Sequence, residues 1–249
     1  ISLTNLQNGK SYTVYVLGQN VAGIWQEETT PAVSRTWRVD TSYQRLVINE
    51  VLAANRTAVA HGGMYPDVVE LYYDGATALD LSGMSLSDDP QQPIAFVFPG
   101  GVRMNPGTYL VLYGDSGSGS DLYLGFSLKD EGEGVYLYDR AGVLLDSVRF
   151  GPQLPDLSIG RVGPAGQWRL TTPTLGRANV AQPLGDARTL KINEWLASSE
   201  VLFSDDFIEI HNPQAHPVAL GGMILTDDPA SKPQQDALPA LSFVAGQGH

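Results

Sequence analysis

The chain repeats itself, and this limits its fold more than any other feature. Leu46-Val47-Ile48-Asn49-Glu50-Val51-Leu52-Ala53 returns as Leu190-Lys191-Ile192-Asn193-Glu194-Trp195-Leu196-Ala197, 144 residues later. Asp67-Val68-Val69-Glu70-Leu71 returns as Asp206-Phe207-Ile208-Glu209-Ile210, and 81–90 returns as 220–229, both 139 residues later. Three blocks in one order, with a single change of loop length between the first two, mean a duplicated domain. The first copy spans 46–180. The second spans 190–249 and stops where the first reads Phe96-Val97-Phe98-Pro99-Gly100. A second copy lacking more than half its length is expected to be a piece of something longer.

Each copy reads as strand after strand. Short runs rich in Val, Leu, Tyr and Phe are bounded by Gly, Pro, Asn and Asp. The first copy gives candidate strands at 46–53, 68–73, 85–86, 95–98, 109–113, 134–138 and 143–150, with Asp139-Arg140-Ala141-Gly142 as a tight hairpin connection. No segment keeps a helical period of apolar residues over eleven or more positions. Seven or more short strands at regular spacing predict an all-β fold, a sandwich or barrel. Before the first copy, Leu6-Gln7-Asn8-Gly9-Lys10-Ser11-Tyr12 has the spacing of a tyrosine corner, in which a hydroxyl returns to upstream backbone. Tyr12-Thr13-Val14-Tyr15-Val16 reads as the next strand, Asn20-Val21-Ala22-Gly23 as a turn, and 35–40 as a last strand. Residues 41–45 and 181–188 read as linkers.

Composition excludes several partners. The 249 residues carry 27 acidic and 15 basic groups, a formal net charge of −12. A nucleic-acid footprint wants a basic face, and so does an anionic membrane surface. No apolar run reaches the roughly 20 residues of a membrane helix, which argues against membrane insertion. Cysteine is absent, which removes disulfides, thiolate metal sites and a cysteine nucleophile.

The first copy resembles the lamin-tail domain of bacterial surface and secreted proteins. The resemblance rests on Ile48-Asn49-Glu50-Val51, Val69-Glu70-Leu71-Tyr72, Asp80-Leu81-Ser82-Gly83-Met84 and Phe98-Pro99-Gly100-Gly101. It continues through Met104-Asn105-Pro106-Gly107-Thr108-Tyr109, Gly132-Glu133-Gly134-Val135-Tyr136-Leu137, Ser158-Ile159-Gly160-Arg161, Trp168 and Thr172-Pro173-Thr174-Leu175-Gly176-Arg177-Ala178-Asn179. It implies tandem immunoglobulin-like β-sandwich modules, one full copy over 46–180 and a truncated copy over 190–249. It carries over no catalytic residues. Met84 and Met223, where the family often has Trp, alter core filling but not the fold. Residues 1–40 are similar to the C-terminal part of a fibronectin type III domain.

Candidate chemistry is sparse. Asp88-Asp89 and Asp227-Asp228 follow a strand and precede proline in both copies. Calcium takes several hard oxygen ligands from such loops, with Asp67 or Asp115 as helpers; equally, these carboxylates accept backbone N–H bonds and end the strand. Glu50 and Glu70, recurring as Glu194 and Glu209, form a carboxylate pair with no cleft to make it glycosidase-like, and read as exposed strand residues. His211 and His216 are spaced for zinc but sit in a Pro-rich loop. The Gly/Ser-rich run 114–121 reads as a strand-connecting tip. Trp25, Trp37, Trp168 and Trp195 have the area to stack on sugars, but their places near strands favour core packing. No cofactor is implied beyond calcium at those aspartates. The expected function is a non-catalytic structural, adhesion or binding module of a larger bacterial secreted or cell-surface protein. Its partner is a protein or glycan, and open strand edges permit self-association. The alternatives are a calcium-dependent binding module, or an accessory region serving an extracellular nuclease or kinase-like enzyme elsewhere in the parent chain.

Overall fold

The computed structural model describes residues 3, 5–27, 29–33, 36–39, 46–115, 117, 121–164, 166–197, 206–228, 230, 231 and 236–249. It divides into two compact units, Ile1–Gln44 and Arg45–His249. Residues 41–45, read as a linker, lie outside the described residues, as do Ser116 and 118–120 of the Gly/Ser-rich run.

The first unit holds β1 (Ser11–Tyr12), β2 (Tyr15–Val16), β3 (Ala32–Val33) and β4 (Trp37–Arg38). β1 pairs with β4 and β2 with β3, both antiparallel. The Tyr12 hydroxyl accepts the Gln7 N–H at 2.8 Å, the bond expected of a tyrosine corner. Asn20 closes its turn by accepting the Ala22 and Ile24 N–H groups on Oδ1. Tyr15, Val16, Ile24, Trp25 and Val33 are all exposed. Trp25 therefore does not pack into a core, contrary to the sequence reading, since no described strand of this unit lies over it.

The second unit opens with β5 (Leu46–Leu52), β6 (Asp67–Tyr73), β7 (Leu79–Asp80), β8 (Ser85–Ser87), β9 (Phe96–Val97) and β10 (Arg103–Met104). It continues with β11 (Thr108–Gly114), β12 (Leu122–Tyr123), β13 (Glu133–Tyr138), β14 (Leu144–Phe150), β15 (Ser158–Val162), β16 (Gln167–Thr172) and β17 (Val180–Ala181). No α-helix occurs among the described residues. One sheet runs β12-β11-β6-β5-β15-β16-β17, the other β14-β13-β8-β9. The layers enclose a single core that includes Ile48, Val51, Leu71, Leu112, Leu137 and Ile159. This is an all-β, immunoglobulin-like sandwich. The hairpin turn at Asp139 forms as expected, its Oδ1 accepting the Ala141 and Val143 N–H groups.

A bulge at Asn49 sets the phase of β5. Ile48 pairs with Leu71 and Glu50 with Glu70, so one residue of β5 is skipped. The core-facing positions become Leu46, Ile48, Val51 and Ala53. Strict alternation would have sent Glu50 inward. Beyond the bulge β15 leaves β5, and side chains satisfy the freed backbone. Asp146 of β14 accepts the Ile48 N–H at 2.9 Å, and Arg161 of β15 donates to the Ile48 carbonyl at 2.9 Å. Arg161 also grips Asp146 through two bonds of 2.8 and 2.9 Å, which ties the sheets together.

The remaining strands are β18 (Lys191–Leu196), β19 (Phe207–His211), β20 (Val218–Ala219), β21 (Ile224–Leu225), β22 (Asp236–Ala237) and β23 (Phe243–Val244). β18 and β19 pair with a register shift between Ile192 and Glu194, the counterpart of the Asn49 bulge. β20 pairs with β23 and β21 with β22, as β7 does with β10 and β8 with β9. The connecting bonds recur too: Leu81 N–H to Val102 O becomes Leu220 N–H to Ser242 O, and Gly83 N–H to Phe98 O becomes Gly222 N–H to Leu238 O. Residues 181–188 are not a free linker. Gln182 bonds to Leu170, Gly185 to Pro217, and a 3-10 turn spans Ala187–Thr189.

The C-terminal strands dock on the first sandwich. Gly151 N–H donates to Ala240 O, Phe243 N–H to Pro152 O and Gln153 Nε2 to Leu241 O. Phe243 joins the same hydrophobic core. A methyl group at Gly151 would meet Ser242 Oγ at 2.0 Å and Pro239 Cβ at 3.0 Å, so only glycine allows this approach. Gly151→Ala should raise amide exchange at Phe243 and leave exchange at Leu71 and Leu137 unchanged. Equal protection of Phe243 in both proteins would show that the docking does not depend on that close approach.

Candidate functional site

The Asn49 bulge places Glu50 directly across from Glu70 on the outer side of the seven-stranded sheet. Like charges opposed on neighbouring strands repel. Both side chains are nevertheless buried, Glu50 at 1 % and Glu70 at 0 % exposure, which corrects the sequence reading of exposed residues. The segment 173–179, which follows β16, folds over them. Glu50 accepts from Ser158 Oγ at 2.5 Å and Thr174 N–H at 3.0 Å. Glu70 accepts from Asn49 Nδ2 at 2.8 Å and Gly176 N–H at 2.5 Å. Asn179 locks the cover by donating to the Asn49 and Arg161 carbonyls at 2.9 and 3.0 Å. A Cβ on Gly160 would fall 2.5 Å from that amide nitrogen. All four carboxylate oxygens accept a hydrogen bond: both of Glu50 and Oε2 of Glu70 reach residues 158–176, and Oε1 of Glu70 reaches Asn49. The arrangement is a structural latch.

Burial is the main force on both acids. It raises Glu50, against the Ser158 and Thr174 bonds. It pushes Glu70 up to about 7, with the Gly176 and Asn49 bonds opposing and the Glu50 charge adding to the rise. Asp156 is the opposite case. Thr57 Oγ1 and the N–H groups of Arg56, Thr57 and Ala58 all donate to it, at 2.6 to 3.0 Å. These bonds, Thr57 first, lower it to about 2.

The paired aspartates shape turns. Asp89 accepts the Gln91 N–H at 2.8 Å and Gln92 Nε2 at 3.1 Å, and its own N–H goes to Ser87 Oγ. Asp228 repeats this, accepting the Ser231 N–H at 3.0 Å and donating its N–H to Thr226 Oγ1. Asp88 and Asp89 border an open cleft of about 640 Å³ shared with Lys129, Glu133 and Arg149. Asp67 stands elsewhere, accepting the Leu128 N–H, with burial pushing it to about 6. Asp227 is exposed. Among the described residues no three His, Cys, Asp or Glu side chains gather closely enough to hold a metal ion. His211 stacks on His249 at 4.6 Å, and His216 contributes its carbonyl to Asn212.

Two residues missed by the sequence reading define a second groove, of about 330 Å³. Tyr72 and Tyr109 are cross-strand partners on the outer sheet face, ring centroids 4.8 Å apart and tilted by 38°. Asn49, Asp74, Arg161 and Asn179 complete its walls. The available signal was phase: Tyr72 adjoins inward Leu71, so it had to point outward. Among the tryptophans, Trp168 packs on the core beneath the Arg161 guanidinium, 4.8 Å from its ring, and Trp37 lies 6.2 Å from Tyr12. Trp195 is exposed, against expectation.

The latch gives a signed pH dependence. Between pH 4.5 and about 7 the folded chain keeps the Glu70 proton that the unfolded chain has released, so stability falls as pH rises through this window. Asp156 acts the other way, its contribution being lost as pH falls from 3.8 through about 2. Asp67, pushed to about 6 by burial, adds to the same fall from pH 3.8 upward, so urea unfolding of the intact chain should be hardest near pH 4 and ease by about 3–6 kcal/mol toward pH 8. Glu70→Gln should flatten the limb above about pH 6, where Asp67 no longer contributes; an unchanged slope there in that variant would assign the limb to other groups.

Residues 40–152 match the family model described as Lamin Tail Domain, a non-catalytic immunoglobulin-like domain. The matched segment ends before β15, β16 and β17, which complete the seven-stranded sheet. No curated protein and no solved structure matches the chain. The match supports one copy of the lamin tail domain within this chain.

Proposed function

We propose that the chain is a non-catalytic structural or binding module of a secreted or cell-surface protein, with a protein or glycan as partner, and that 190–249 is the start of a second lamin-tail copy. The fate of Glu50 and Glu70 carries the non-catalytic reading. They are the acid pair nearest to a catalytic arrangement, and their oxygens are spent under the 173–179 cover. The repeated bulge and turn bonds of β18–β23 support the second copy. Purified protein should release no product from ester, glycoside or phosphodiester substrates; turnover that survives repurification would overturn this reading.

Self-association is a second reading, favoured by one observation. Ile192, Trp195 and Ile208 are 63, 70 and 51 % exposed, whereas their counterparts Ile48, Val51 and Val69 are 0–1 % exposed in the core. Two such faces stacked on one another would form the inside of a sandwich by two-fold symmetry. The β18–β19 sheet is only two strands wide, and a standard interface takes roughly 800 Å² per partner, so the association is expected to be weak. Light scattering should show mass rising with concentration, and Trp195→Ser should hold the chain monomeric. A wild-type chain that stays monomeric throughout would remove this reading.

Calcium at the aspartate turns is separable from their turn-forming role. Asp89→Ala should cost about 1 kcal/mol in chelator through the lost Gln91 and Gln92 bonds. The same loss in calcium and in chelator marks Asp89 as a turn-former. A loss that grows in calcium, with calorimetric heat in the wild type, marks a metal site.

A further inference from the structure

The Tyr72–Tyr109 groove is built to bind. Its volume of about 330 Å³ lies within the range of small-ligand sites, about 300–1,000 Å³. Its floor is fixed before any ligand arrives. Asn179 is held by two backbone carbonyls, and Arg161 by the Ile48 and Gly166 carbonyls and the Asp146 carboxylate. A ligand would meet little ordering cost there. Above this floor stand groups with unspent capacity. Neither tyrosine hydroxyl nor the Asp74 carboxylate has a hydrogen-bond partner among the described residues. The Tyr109 hydroxyl stays protonated well above neutral pH because burial, then Tyr72 and Glu70, push it up, so it can donate as well as accept.

The charge pattern narrows the ligand. Arg161 is among the residues that line the groove, and its positive charge works against a cation. Asp74 and the chain's net charge of −12 work against an anion. What remains is a neutral molecule that offers an apolar face to aromatic rings and many hydroxyls at its edge. We propose that this groove binds a neutral carbohydrate, one sugar ring resting on the tyrosine pair and its hydroxyls bonded to Asp74, Tyr72 and Tyr109. The proposal rests on the binding-module reading and names the ligand class and place.

Affinity electrophoresis in gels containing galactomannan, mixed-linkage β-glucan, xylan or soluble starch tests it, with calorimetry on the polysaccharide that retards most. Polygalacturonate serves as the anionic control. The expected result is retardation by at least one neutral polysaccharide and at least tenfold weaker binding in Tyr109→Ala and Tyr72→Ala. Both side chains are half-buried on the outer face, and melting curves check that the variants fold. Tyr109→Phe should lose less than Tyr109→Ala, and Asp74→Asn should weaken binding severalfold with no change in melting. Three outcomes overturn the site: no retardation by any neutral polysaccharide, retardation by polygalacturonate alone, or retardation that none of these variants alters. The last leaves the binding-module reading standing with its surface elsewhere. Release of reducing ends from the same polysaccharides would instead overturn the non-catalytic reading.

Discussion

The skipped residue at Asn49 is the constraint on which the sandwich depends. It lets Ile48 and Val51 both face the core, three positions apart on a strand whose natural period is two. The same step brings Glu50 opposite Glu70. An arrangement that by itself is unfavourable becomes useful because segment 173–179 has donors to offer. β15, β16 and the cover are thereby registered to β5 and β6 by side-chain bonds as well as by the ladder. Asp146 and Arg161 do the corresponding work between the layers, at the point where β15 parts from β5.

The repeat shows the same device in a different setting. β18 and β19 keep the bulge, and Asn193 still donates to Glu209. No described segment covers that pair as 173–179 covers the first, and the apolar face of the hairpin stays open. The comparison separates two contributions to a strand. Local sequence is enough to form the bulged hairpin, while burial of its faces needs the far half of a sandwich.

Much of the fold was legible in the chain. Runs such as 68–73 and 134–138 declared themselves by apolar density and flanking turn residues, and Asp139 to Gly142 by its turn chemistry. β15 and β16 did not. Gly160, Arg161 and Arg169 break any alternation: Arg161 takes the core-facing phase of Ile159 at the end of β15, where an apolar residue would be expected, and bonds there to Ile48 and Asp146. The bulge left one trace in the chain, since strict alternation would set Glu50 on the apolar face of Leu46 and Ile48, but only the three-dimensional register shows the skip. The groove escaped notice because Tyr72 and Tyr109 lie 37 residues apart, and only the antiparallel pairing of β6 and β11 makes them neighbours.

The latch also links the order of synthesis to proton uptake. Thr174 reaches Glu50 across 124 residues of chain. At ribosomal speeds of about 5–20 residues per second, the first hairpin waits roughly 6–25 s for its cover. Through that interval Glu50 and Glu70 lack the Thr174 and Gly176 donors of the cover. Closure withdraws them from solvent, where burial favours the protonated form. Completing this domain is thus favoured toward lower pH, through Glu70 above all, and the acidity of the surroundings bears on how readily it closes.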